Sequence, residues 1–81
     1  MYQIKDAVVA RLDSLCKSHE ISYNALANMA GVTPSTVYSV MDPHRREITI
    51  NTLRLLCDGI GISLSEFFDS PEFIDMEEEK K

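Results

Sequence analysis

Cys16, His19, His44 and Cys57 carry the side chains best suited to nucleophilic or metal chemistry in this 81-residue chain. Their spacing argues against both uses. Cys16 and His19 could offer two ligands to zinc, but His44 and Cys57 stand too irregularly to complete a tetrahedral set, so no metal or other cofactor is expected. Both cysteines fall among apolar residues at helical spacing, where a reduced thiol acts as a small hydrophobe; a disulfide between them is the alternative. No Ser-His-Asp arrangement, inward pair of carboxylates or glycine-rich phosphate loop can be assembled, and so short a chain leaves little room for a buried catalytic cleft. An enzyme is therefore not expected. His19 reads as a helix-end residue favoured by the C-terminal dipole, and His44 as a loop residue.

The remaining chemistry is that of recognition. Pro34, Ser35, Tyr38 and Ser39 share one face of a short helical segment, and that face is hydroxyl-bearing or apolar and uncharged. His44-Arg45-Arg46 is the densest basic cluster in the chain. Hydroxyl and phenol groups can exchange hydrogen bonds with base edges, and guanidinium groups pair with phosphate. The bland alternatives are a solvated helix face for Ser35 and Tyr38 and a solvated charged loop for Arg45 and Arg46.

The overall charge opposes a polyanionic partner. The formal net charge is −5, whereas nucleic-acid binders usually present an excess of Lys and Arg. Residues 71–81 hold five acidic and two basic side chains, which leaves −2 for residues 1–70. The acidic excess thus sits mostly in the tail, while a groove contact feels the field within a Debye length, roughly 8 Å at physiological salt.

These residues need a scaffold, and at 81 residues one domain of short helices is the economical construction. Ile4, Val8, Leu12, Leu15 and Cys16 recur at helical spacing and predict a first helix to about Ser18, with Lys5, Asp6, Asp13 and Lys17 mostly on the solvent face. Asp13 and Lys17 form a supporting surface pair. Ser22 caps a short second helix to about Met29 whose inward residues are Leu26, Ala27 and Ala30, and Gly31 stops it. Thr33-Pro34 restarts the chain as a third helix, because Pro at the first helical position loses no hydrogen bond. That helix ends near Met41, ahead of Pro43. Residues 42–48 read as a polar loop. Thr49 caps a fourth helix with Ile50, Leu53, Leu56, Cys57 and Ile60 inward, closed by Gly59 and Gly61. Ser63 and Glu66 form a capping box for a fifth helix ending near Asp69, on which Leu64, Phe67 and Phe68 close the core. From Ser70 onward, residues 71–81 read as an acidic, frayed tail containing isolated Phe73 and Ile74.

The connection between helices two and three has the length of a helix-turn-helix. Leu26-Ala27, Ala30-Gly31-Val32-Thr33, Ser35-Thr36-Val37, Thr49, Thr52-Leu53 and Gly61-Ile62-Ser63-Leu64 with Glu66-Phe67-Phe68 follow in an order that resembles the Cro/phage-repressor, or XRE, helix-turn-helix family. The resemblance covers residues 21–68. It implies an all-α, compact five-helix bundle of the lambda-repressor-like type over residues 1–70, with the motif at about 22–41. Helix three would enter the major groove of double-stranded DNA. Carried over by position, Pro34, Ser35 and Tyr38 would face base edges with Thr33 and Ser39 near them. Tyr23, Arg45, Arg46, Thr49 and Asn51 would meet phosphates; Tyr23 lying over the first helix as partial core is an equal alternative. Pro34 stands where many relatives have a polar reading residue, Met41 replaces a commonly acidic one, and Pro43 a common Gly. Pro34 can therefore make only apolar contact, such as with a thymine methyl.

The expected function is sequence-specific binding of double-stranded DNA by a transcriptional regulator, a repressor in the first instance. Two protomers would bind a pseudo-palindrome, with Leu64, Phe68, Phe73 and Ile74 available for a homodimer contact. The rival reading is a protein-interaction module or antitoxin-type regulator on the same fold, held by a regulatory protein partner. Ile21 to Met41, the longest uncharged stretch, is broken by polar residues, Gly and Pro and could not span a bilayer. The first residues also lack the basic region and apolar run of a signal peptide, so a cytoplasmic location without membrane contact is expected.

Overall fold

Each helix begins where a side chain can take up an orphan backbone N–H. The computed structural model describes residues 3–74, and the acidic residues 75–81 of the expected tail lie outside it. The elements are α1 (Ile4–Ser18), α2 (Tyr23–Ala30), α3 (Pro34–Met41), α4 (Ile50–Ile60) and α5 (Leu64–Phe68), with no strand among the described residues. Ser22, Thr33, Thr49 and Ser63 accept from the N–H groups of Ala25, Thr36, Thr52 and Glu66. At α5 the box is reciprocal, since Glu66 Oε1 accepts from the Ser63 N–H at 3.2 Å. α2 and α4 end in left-handed glycines, Gly31 at φ 74° and Gly61 at φ 90°.

Gly59 sits inside α4 instead of ending it, and what it provides is closeness. A Cβ at this position would lie 2.8 Å from the Ala30 backbone nitrogen and 2.9 Å from its Cα. Hydrogen in place of a side chain lets α4 rest on the last turn of α2, which fixes how the α2–α3 pair meets the bundle. Leu26, Ala27, Val37, Leu53, Leu56 and Phe67 are almost fully buried around that junction.

The apolar stripe of α1 holds its expected register at Val8, Leu12, Leu15 and Cys16 and departs from it at the first turn. Lys5 is 1% exposed and Ile4 is 60% exposed, so Ala7, Val8, Leu12, Leu15 and Cys16 form the inward face with Lys5 at its upper end. Ile50, expected inward, is 66% exposed, and Phe68 stands at the rim at 37%. Both flank a solvent-facing groove of about 350 Å³ whose floor includes Val8 and Leu53.

The chain also stays ordered past Ser70. Residues 71–74 form a helical turn in which the Phe73 and Ile74 N–H groups donate to the Ser70 carbonyl. Phe73 is 9% exposed and packs at ring-centroid distances of 5.8 Å from Phe67 and 4.9 Å from Phe68. Fraying was expected because a lone Phe–Ile pair shows no periodicity; the two rings waiting at the end of α5 supply the missing partner. Arg11 braces the same corner, donating to the Phe67 and Glu66 carbonyls at 2.9 Å each; the Glu66 carbonyl is shared with the Asp69 N–H, and both belong to the last turn of α5.

α2 is fastened to α1 through a phenol. Tyr23 Oη donates to Asp13 Oδ1 at 2.9 Å, and Asp13 also pairs with Lys17 at 2.9 Å. Desolvation, reinforced by the neighbouring carboxylate, pushes the Tyr23 phenol up to about 12, while hydrogen bonds from Lys17 and Tyr23 hold Asp13 below its ordinary value.

Three measurements check this packing. Gly59→Ala should lower stability by about 1–2 kcal/mol in a thermal melt, because the overpacking cost exceeds the gain in helix propensity. Phe73→Ala should cost about 3 kcal/mol, an effect absent from a frayed tail. In a phenolate absorbance titration, one tyrosine should ionise near 12 in the native protein and vanish from the curve in Tyr23→Phe. Because the folded state keeps a proton that the unfolded chain releases near 10, this part of the stability is present below about pH 10 and is lost as pH rises through 12.

Candidate nucleic-acid interface

α3 is amphipathic in the sense that matters for recognition. Val37 and Val40 anchor it to the core, and the opposite face leaves Thr33, Pro34, Ser35 and Tyr38 exposed with Ser39 half-buried. No charged side chain lies on this helix. At its start the hydroxyls of Thr33, Ser35 and Thr36 are mutually linked, with Thr33 Oγ1 at 3.1 Å from Ser35 Oγ and 2.9 Å from Thr36 Oγ1. Thr33 therefore acts first as the N-cap, and Ser35 points from the same cluster toward solvent.

Tyr38 is 53% exposed and leans edge-on against Tyr23, ring centroids 5.7 Å apart at 73°. The bond from Tyr23 to Asp13 thus supports Tyr38 from below. Tyr23 is both a brace on α1 and a neighbour of the exposed face, with its hydroxyl committed to Asp13, as the reading over the first helix expected.

α3, the loop after it and the start of α4 border an open hollow of about 250 Å³ in which Thr36, Ser39, Arg45, Glu47, Thr49 and Thr52 stand beside the apolar Val40 and Ile48. Ser39, Arg45 and Thr49 therefore converge from separate elements on one edge. Thr49 Oγ1 accepts from the Thr52 N–H at 3.1 Å and donates to Thr52 Oγ1 at 2.8 Å. Asn51 is exposed on the first turn of α4, where free N–H groups and the helix dipole favour an anion.

The two arginines part company. Arg45 is 66% exposed and makes only a loose 3.9 Å approach to Asp42. Arg46 is turned toward α1, donating to both Asp6 oxygens at 3.2 and 3.3 Å, to Gln3 Oε1 at 3.4 Å and to the Pro43 carbonyl at 2.7 Å. Its guanidinium is engaged with the protein, and Arg45 is the cation presented outward.

A residue that sequence reasoning placed on the solvent face governs this loop. The Lys5 ammonium donates to the carbonyls of Asp42 and Arg45, so a buried cation ties the α3–α4 loop to the first turn of α1. Burial, with Arg46 nearby, lowers its pKa from the ordinary lysine value, and Asp42 and Asp6 oppose that shift. The spacing of Lys5 to Val8 and Leu12 was the available signal, since it sets Lys5 on the apolar stripe. Asp42 forms the bend itself, accepting from the His44 N–H at 2.9 Å, a bond that holds its carboxyl below the usual range.

Comparison with known proteins agrees with this geometry. A profile of the Cro/C1-type helix-turn-helix DNA-binding domain matches residues 11–72. The crystal structure of the prophage Lp1 protein 11 is similar at a TM-score of 0.79 and 32% identity, over 90% of this chain and 96% of that one. No curated protein matches. With two helices joined at Gly31, a third helix anchored by Val37 and Val40, and a closing pair in the matching order, the chain belongs to the Cro/C1-type helix-turn-helix DNA-binding family.

Proposed function

We propose that this protein is a sequence-specific transcriptional regulator, acting as a repressor, that sets α3 into the major groove of double-stranded DNA. The observation that carries the reading is the exposed uncharged face of α3 beside the edge formed by Arg45, Thr49 and the start of α4. Ser35 and Tyr38 read base edges, Pro34 makes apolar contact, and Thr33 and Ser39 stand at the margins. Arg45, Thr49 and Asn51 hold phosphates and fix register. Arg46 and Tyr23 act mainly by keeping the loop and Tyr38 in place.

The site operates in the cytoplasm as a homodimer on a pseudo-palindrome with half-sites about one helical turn apart. Leu64 and Phe73 face the core, so of the candidate contact residues Phe68 and Ile74 are available, at 37% and 46% exposure. Ile4 and Ile50 extend the apolar surface beside Phe68. No helix among the described residues is long and apolar enough to cross a membrane.

Selection of bound duplexes from a random-sequence library at low and physiological salt tests the reading. A two-fold symmetric motif should emerge; no retention even at low salt would overturn it in favour of a protein partner. On the enriched duplex, Ser35→Ala or Tyr38→Ala should cost about 1–3 kcal/mol and relax base preference, whereas Arg45→Ala should weaken all duplexes alike and reduce the salt slope by about 1. Arg46→Ala should affect DNA affinity less than Arg45→Ala and thermal stability more.

A further inference from the structure

Glu47 is the one charged residue that borders all three surface hollows around the α3–α4 loop. It is exposed, and the ion pairs among the described residues engage Asp6, Asp13, Asp42 and Asp58 but not Glu47. Its neighbouring cations are committed elsewhere: Lys5 to loop carbonyls, Arg46 to Asp6 and, loosely, Arg45 to Asp42. A carboxylate without an ion-pair partner among the described residues thus stands between the outward arginine and the first turn of α4. A phosphate held by Arg45 and Thr49 would lie within a Debye length of it, roughly 8 Å at physiological salt.

We infer that Glu47 is an affinity brake, a residue that opposes the phosphate backbone of every duplex and so leaves discrimination to Ser35 and Tyr38. The inference rests on the DNA-binding reading above. Repulsion between the carboxylate and phosphates is independent of base sequence, so it lowers specific and non-specific binding alike. In the cell this shortens the time lost on non-operator DNA, where competing sites are far more numerous.

The test compares wild type, Glu47→Gln and Asp58→Asn by fluorescence anisotropy, using the library-enriched duplex and a scrambled duplex of equal composition across a salt series. Asp58 is a suitable charge-matched control because it lies about 13 Å from Thr49 along the axis of α4. Glu47→Gln should tighten both duplexes about three- to tenfold at low salt, the gain shrinking as salt rises, with Asp58→Asn near wild type. An unchanged affinity, or an equal gain in Asp58→Asn, would overturn the brake. Loss confined to the enriched duplex would also overturn it and make Glu47 a base contact. Wild type that binds neither duplex at low salt would instead overturn the DNA-binding reading itself.

Discussion

The missing side chain at Gly59 is the constraint on which the rest of the bundle depends. Helix axes approach as closely as the bulkiest atoms between them permit, and here backbone meets backbone at the end of α2. That proximity brings Leu26 and Ala27 of α2 and Leu53, Leu56 and Cys57 of α4 into a single buried layer. α3 then has one place to go. Gly31 turns the chain through the left-handed region, and Val37 and Val40 dock onto the layer already formed. The outward face of α3 is what remains after this docking, which is why its composition is free to serve recognition.

A second layer of control is electrostatic and lies on the opposite side of the loop. The first turn of α1 contributes both Lys5, to the loop carbonyls, and Asp6, to Arg46. These contacts act in concert. Lys5 replaces lost hydration with two carbonyl oxygens, and Asp6 offsets the repulsion that Arg46 imposes on the ammonium. A stretch of Pro, His and Arg thereby acquires a fixed conformation without any regular secondary structure, and of its two guanidinium groups that of Arg45 is the more open to solvent.

The helix boundaries were legible in the sequence because capping chemistry is local: Ser22, Thr33, Thr49 and Ser63 each signal a start within a few residues of the groups they bond. The helix-turn-helix was legible for the same reason, since Gly31 and Pro34 act through their own backbone dihedrals. Burial was less so, being settled by distant elements. Ile4 looks inward by residue type and Lys5 outward, yet the loop from Asp42 to Arg46 offers acceptors only at Lys5. Ile50 resembles a core residue until the direction of α4 is known. Phe73 has no periodic partner nearby in the chain and finds one in Phe67 and Phe68 across the bend at Ser70. At the interface, the exposed face of α3 was readable from alternation with Val37 and Val40, whereas the division of labour between Arg45 and Arg46 depended on Asp6, some forty residues away.

The edge contact between Tyr23 and Tyr38 makes the molecule its own optical reporter. The chain contains no tryptophan and three tyrosines, so its ultraviolet emission is phenolic. Tyr23 has its phenol bonded to the Asp13 carboxylate, an acceptor that would draw the proton of the excited phenol and dim its emission. Tyr38 has its ring open to solvent on the outer face of α3, so its brightness follows whatever covers that face. A molecule that covered this face of α3 would therefore alter the surroundings of the Tyr38 ring, a change open to observation in the unlabelled protein.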